Sequence, residues 1–297
     1  MLPEGFDLQG HRGARGLAPE NTLHGFAVAA RLGIRTLEID VGVTRDGAVV
    51  VHHNPALNPD TTRDRAGRWL DGTGPLLRDL TLAQLGDYDV GRLRPGTSYA
   101  ETYAGQAPDD GAGIPTLDAA LALDPALRWN IELKVMPDHP DWTVPPEEMA
   151  ERVLHVVSAA GAGPRVALQS FDWRAPRHVR RIRPATAVGW LTSATTVADA
   201  PLWLGRYLDG MAGVPDAVAA EGGGTWAPRH PDLDERLLDH AHDLGLRVVP
   251  WTVNAADDMR RLIAWGVDGL ITDWPDRALS VLATVEGRPG AGAARPD

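Results

Sequence analysis

Amphipathic stretches that end on glycine alternate along the chain with short apolar or β-branched runs. Residues 22–32 end at Gly33 and lead into IRTLEIDV, and 146–160 end at Gly161 and lead into RVALQSF. Residues 233–244 end at Gly245 before LRVVPWTV, and 255–265 end at Gly266 before VDGLITDW. Glycine just past a helix takes the left-handed conformation without steric cost, so each one predicts a helix C-terminus. Helical starts are also visible: Asp232 is expected to cap the helix over 233–244, Asn254 the helix over 255–265, and Pro146 suits a first turn. Met149, Val153, Val156, Val157 and Ala160 recur at helical spacing on one face.

Eight strands are predicted, at 7–10, 36–41, 128–135, 165–171, 187–191, 224–227, 247–253 and 269–273. Strands alternating with helices specify βαβ units and a parallel sheet. Eight such units in this length predict a TIM (β/α)8 barrel. An open doubly wound sheet is the rival, but GHRGARG after the first strand lacks GxGxxG spacing. Residues 42–53 read as a hairpin turning at Arg45-Asp46-Gly47. The polar, Gly/Pro-rich residues 54–113 read as an insertion after strand 2 that caps the barrel mouth. Residues 1–286 are thus expected to form a single barrel domain, and 287–297 (GRPGAGAARPD) a disordered tail.

Composition narrows the chemistry. With no cysteine among 297 residues, disulfides, thiolate zinc sites and cysteine nucleophiles are excluded. The net charge of −11 disfavours nucleic acid and anionic membranes as partners. No apolar run is long enough for a membrane span, and no signal peptide is visible at the N-terminus, so a cytoplasmic protein without stable membrane insertion is expected. Of 29 basic residues, Lys134 is the only lysine.

The chemistry-bearing residues cluster at predicted strand ends. Glu38 and Asp40 in LEID lie two apart on a strand, so both face the barrel interior. Glu132 and Lys134 in IELK repeat that spacing. Three convergent carboxylates suit a hard divalent cation, Mg²⁺ or Ca²⁺; an ion pair between a carboxylate and Lys134 or an arginine is the plainer alternative. His11 follows the first strand and His53 closes the hairpin, while His52 points the other way and is read as non-catalytic. Arg12, with Arg15 nearby, can fork onto phosphate or carboxylate oxygens. A metal, two acid/base histidines, an arginine and a lysine at one mouth suit cleavage of a phosphate ester. Metal-dependent enolisation needs similar parts, and the residues alone do not separate the two.

The segments HRGARGLAPENTLHGFAVAARLG, LEIDVGVTRDGAVVVHHNP, GIPTLDAAL, IELK, LQSFDW, PWTVN and DGLITDWP occur in an order that resembles the glycerophosphodiester phosphodiesterase family over nearly the whole chain. The resemblance implies a TIM barrel with an insertion after strand 2. It further implies hydrolysis of glycerophosphodiesters, as small-molecule substrates, to glycerol 3-phosphate and an alcohol with a divalent cation. His11 and His53 then match the acid/base pair, and Glu38, Asp40 and Glu132 the metal ligands. Arg12 matches the phosphate contact, and Lys134 and Trp251 other substrate-facing positions; Glu20 and Asn21 of PENT, with Asn54, would support the site. Asn54 departs from the family, which usually has Asp there, and a shifted pH optimum is expected. A phospholipase D-like lyase forming a cyclic phosphate, with an apolar rim that Trp69, Trp142 and Trp203 could supply, and a non-catalytic phosphate-binding barrel are the alternatives.

Overall fold

A computed structural model describes residues 5–286. The strands are β1 (Asp7–His11), β2 (Thr36–Val43), β3 (Val49–Val51), β4 (Arg63–Asp64), β5 (Tyr88–Asp89), β6 (Arg128–Leu133), β7 (Val166–Ser170), β8 (Ala187–Thr192), β9 (Thr225–Pro228), β10 (Arg247–Val248) and β11 (Gly269–Thr272). Eight of them run parallel in the order β10-β9-β8-β7-β6-β2-β1-β11. Backbone bonds between the segment after β10 and β11 close the ring, from Ile271 N to Pro250 O (3.0 Å) and from Val253 N to Ile271 O (2.9 Å). The fold is the expected TIM barrel.

Seven of the predicted strands appear within about two residues of their expected ends. The strand expected over 247–253 is shorter, ending at Val248. Pro250 lacks a backbone donor and breaks the regular ladder.

Outward strand residues such as Leu37, Ile39, Ile131 and Leu168 are fully buried beneath the helices. Trp129 on β6 meets Phe26 of the first helix (Leu23–Arg31) edge to face, with centroids 5.5 Å apart. Large aromatic contacts of this kind add to the area they bury. Inward positions are polar even at mid-barrel, where Asn130 Nδ2 donates to Gln9 Oε1 at 2.8 Å. The four glycines expected to end helices all have positive φ: Gly33, Gly161, Gly245 and Gly266.

Three local expectations are corrected. The helix Glu235–Asp243 is capped by Asp234, whose side chain accepts from Leu237 N, while Asp232 ends a preceding 3-10 turn and accepts from Ala194 N. The helix Ala256–Trp265 has no side-chain cap, because Asn254 is committed to Asp273 instead. On the helix Pro146–Ala159, Met149, Val153 and Val157 are buried as predicted, but Ala160 is its exposed C-cap.

The 42–53 hairpin forms, β3 pairing antiparallel with β2. Residues 54–113 are more structured than a polar loop. They contain the β4–β5 ribbon and short helices at Leu82–Leu85 and Ser98–Thr102. Leu57, Leu77 and Leu85 gather with Val50 in a small core of their own. The expected tail at 287–297 lies outside the described residues. Among the described residues no helix is long and apolar enough to cross a membrane.

Candidate active site

The parallel register brings the carboxylates together. His11 stands opposite Glu38 across β1 and β2, and Asp40 opposite Glu132 across β2 and β6. Each of Glu38, Asp40 and Glu132 offers an oxygen within 4.8 Å of the others, and all three are buried. Lys134 Nζ lies 2.7 Å from Glu132 and 3.6 Å from Asp40, and Arg12 Nε lies 3.4 Å from Asp40. The ion pair foreseen as the plainer alternative therefore exists, beside a cluster it does not neutralise. Lys134 and Arg12 face three carboxylates, and Arg12 is also shared with Glu20 at 2.8 Å.

The buried Asp40 Oδ1 accepts no hydrogen bond. A buried, unmatched carboxylate oxygen beside two other carboxylates is a donor set that fits a hard divalent cation. Burial and the nearby Asp40 and Glu132 charges push the Glu38 carboxyl well above its ordinary range. Burial pushes Glu132 up to about 7, although Lys134 draws it back. Burial would raise Asp40 too, but His53, Arg12 and Lys134 outweigh it and hold Asp40 well below the usual carboxylate range. Carboxylates that resist ionising together are stabilised by a cation among them.

The histidines occupy the same pocket, each with Nδ1 engaged. His11 Nδ1 donates to Asp273 Oδ1 at 2.6 Å, and His53 Nδ1 to Asn54 Oδ1 at 2.5 Å. These acceptors place the proton on Nδ1 and leave Nε2 as the free nitrogen of each neutral ring. Burial lowers both imidazoles. For His53, Arg12 and Lys134 lower it much further; for His11, the Asp273 charge opposes the effect. The pocket holds about 210 Å³ and is polar on one side, with His11, Arg12, Glu38, His53 and Glu132. Phe171, Leu191 and Trp251 form its apolar side, with Phe171 and Trp251 edge to face at 5.3 Å.

The family profile described as the glycerophosphoryl diester phosphodiesterase family matches residues 11–277. The chain belongs to this family. It is a phosphodiesterase, and the acidic trio at its barrel mouth can hold the divalent cation on which family members generally depend. A curated relative, the glycerophosphodiester phosphodiesterase of Caldanaerobacter subterraneus, is 29% identical over 92% of this chain and 96% of its own length. The crystal structure of a candidate glycerophosphoryl diester phosphodiesterase from Silicibacter pomeroyi superposes with a TM-score of 0.86, at 37% identity and 94% coverage of both chains. An Oleispira antarctica phosphodiesterase, whose structure contains its product sn-glycerol-3-phosphate, shares the fold at TM-score 0.71 and 24% identity, over 95% of this chain and 97% of its own.

Every site residue expected of this phosphodiesterase lies in or beside the pocket. Glu20 reaches Arg12, whereas Asn21 Nδ2 donates to Asp40 Oδ2 at 3.0 Å. Arg12 and Asn21 are the two non-glycine residues with left-handed φ among those described, at 51° and 52°. Such backbone is held by its surroundings, and here it aims both side chains at Asp40. Trp251 is fixed by its indole donating to Ala227 O. His52 is buried away from this pocket, its Nε2 near Ala56 O. The tryptophans considered for a lipid rim are otherwise engaged: Trp69 under Arg63, Trp142 stacked on His139, and Trp203 behind Phe171.

The main residue missed by sequence reasoning is Asp273, just past β11. It is fully buried and accepts from His11, from Arg15 through Nε and Nη2, from Tyr103 and from Asn254. These partners hold its carboxyl well below the ordinary range against burial. Asp in the final strand-end motif DGLITDWP was its only trace in the sequence.

Proposed function

We propose that the chain hydrolyses glycerophosphodiesters to glycerol 3-phosphate and an alcohol, with His11 and His53 as the acid/base pair. The observation that carries this reading is the shared pocket. Two imidazoles, each fixed through Nδ1 with Nε2 left to exchange a proton, line it together with three clustered carboxylates and a buried arginine.

Glu38, Asp40 and Glu132 would hold the divalent cation, with Mg²⁺ or Ca²⁺ suiting three hard oxygens. Bound there, the cation supplies Lewis-acid polarisation of a phosphoryl oxygen. Arg12 and Lys134 bind the remaining phosphate charge. Arg12 is preset for this by Glu20 and Asp40, so little reorganisation is needed when the diester arrives. One histidine, neutral, takes a proton at Nε2 from the attacker, which is water or the substrate's own glycerol hydroxyl. The other, entering the step as the imidazolium, gives its Nε2 proton to the leaving alkoxide; where the glycerol hydroxyl attacks, water then opens the cyclic phosphate. Asp273 supports positive charge on His11, whereas Asn54 orients His53 without adding charge. Phe171, Leu191 and Trp251 exclude water from one side and pack the carbon skeleton.

The test is glycerol 3-phosphate release from glycerophosphocholine and glycerophosphoethanolamine after EDTA treatment, with Mg²⁺ or Ca²⁺ then restored. Metal-restored turnover that disappears in Glu38→Ala, and falls by orders of magnitude in His11→Ala and His53→Ala, is the expected result. Near wild-type turnover in both histidine variants would sink the mechanism.

A further inference from the structure

We propose that Tyr99, carried by the inserted segment rather than by the barrel, is a positioning residue that sets Arg12 through Glu20. This rests on the reading above, in which Arg12 binds the phosphate. The Tyr99 hydroxyl donates to Glu20 Oε2, and the other oxygen of the same carboxylate accepts from Arg12 Nη1 at 2.8 Å. On its far side the hydroxyl accepts from Arg15 Nη1 at 3.3 Å. Arginine can only donate, so Arg15 fixes the direction of the Tyr99 proton, toward Glu20. Arg15 is itself locked by two bonds to Asp273, at 2.7 and 2.8 Å. The hydroxyl therefore stands between Glu20, which holds Arg12, and Arg15, which is bound to the Asp273 that holds His11.

Arg12 needs external support. Its backbone lies at φ 51°, and two carboxylates hold its side chain, Glu20 and Asp40. Asp40 is also a proposed cation ligand, so its charge is shared once a cation is bound. Glu20 is then the anchor left for the guanidinium. Among the described residues, Arg12 and Tyr99 are the side chains hydrogen-bonded to Glu20, which makes the tyrosine its tether on the protein side.

The helix bearing Tyr99 is built to hold this position. Helix Ser98–Thr102 is capped by Thr97, whose side chain accepts from Ala100 N and donates to Arg94 O. Just beyond it, Gln106 Nε2 donates to Arg15 O at 2.7 Å and Ala107 N to Leu17 O at 2.9 Å. The insertion thus grips the first βα loop, which carries Arg12 and Glu20, at three points. Tyr103 packs against Tyr99 at 5.2 Å but sends its own hydroxyl to Asp273, serving the His11 side. Two tyrosines on one turn address the two halves of the site.

Steady-state kinetics on the metal-loaded protein separates these roles. Tyr99→Phe keeps the ring and removes the hydroxyl. It is expected to raise KM for glycerophosphocholine, and Ki for glycerol 3-phosphate, about tenfold, the loss of one hydrogen bond to a charged group. Its kcat is expected to stay within about twofold, since removing ground- and transition-state binding alike moves KM alone. Glu20→Gln is expected to raise KM and Ki to the same extent, and the double variant no further, as the two act through one contact. Tyr103→Phe should instead lower kcat and leave Ki in place.

Arg12→Ala sets the ceiling and tells two failures apart. If Arg12→Ala raises KM and Ki while folded Tyr99→Phe and Glu20→Gln leave both unchanged, the positioning role is overturned and the functional reading stands. If Arg12→Ala itself leaves KM and Ki unchanged, the assignment of the phosphate contact fails, and the positioning role with it. A parallel fall in kcat and in the melting midpoint of Tyr99→Phe, with Ki unmoved, would reduce Tyr99 to a structural support and overturn the proposal.

Discussion

Asp273→Asn tests how far a negative charge behind His11 drives the reaction. The bond to His11 Nδ1 is 2.6 Å long, and Asp273 is wholly buried. A hydrogen bond to a charged partner contributes roughly 1.5–3 kcal/mol, a neutral one about 1. The substitution thus removes about 1–2 kcal/mol of support for the imidazolium formed in the transition state, a roughly 5- to 30-fold loss of kcat. The amide adds a second difficulty. Both carboxylate oxygens already face donors: His11 and Arg15 on one, Arg15, Tyr103 and Asn254 on the other. Whichever way Asn turns, its NH₂ meets N–H or O–H groups, and Arg15 loses its buried counter-charge. Breaking such a pair typically destabilises by about 3–5 kcal/mol. The assay is glycerol 3-phosphate release at saturating cation and substrate, well below the melting midpoint, with circular dichroism confirming the fold. A folded Asp273→Asn variant with kcat within about twofold of wild type would refute the idea that His11 works as an imidazolium supported by this carboxylate.

Asn54→Asp places a charge beside His53 Nδ1; an adjacent opposite charge moves a pKa by about 1–3 units, so His53 rises and the limb of the kcat/KM–pH profile that it governs shifts to higher pH. A profile with neither limb moved would show that His53 governs neither. Mg²⁺ is expected to raise the melting midpoint of the EDTA-treated protein in a concentration-dependent way, and Glu38→Ala to abolish the increase, read by differential scanning fluorimetry. Burial holds His52 below its ordinary value, so the unfolded chain takes up the proton first and stability falls as pH drops below about 6.5, by up to about 1.4 kcal/mol per pH unit. Urea melts at pH 7 and 5.5 should show a smaller difference in His52→Gln than in wild type. Gly10→Ala would place its Cβ 2.0 Å from the Gly13 carbonyl oxygen, a backbone atom that cannot step aside, and should destabilise by about 3 kcal/mol or more in a thermal melt.

What could be read in advance follows from distance along the chain. Glu38 and Asp40 share a face because a strand repeats every two residues, and that periodicity is printed in LEID. The barrel was legible from helices ending at glycine. Asp273 was not, because its meaning lies in a contact with a residue 262 positions away. Asn254 misled for a related reason. Asn before a helix is a good cap, but its amide is drawn to Asp273, and a tertiary contact overrode the local preference. Tyr99 sits in a segment without periodicity, where nothing local indicates which side chain turns inward. Pro250 stood in plain view, yet the apolar run around it outweighed its missing N–H in the strand prediction.

The bond joining His11 to Asp273 links β1 to the end of β11, strands that pair side by side although one opens the described barrel and the other completes it. During synthesis the His11 imidazole emerges with the first barrel strand and stays without its carboxylate until the last barrel strand has left the ribosome. Contacts of such long separation are the last to repay their loop-closure entropy. A chain stalled or cut before residue 273 would carry Glu38, Asp40 and Glu132, both histidines and the arginine, yet lack the carboxylate that holds His11. On the proposed mechanism incomplete copies would be poor catalysts, so that turnover itself reports that the barrel has been finished.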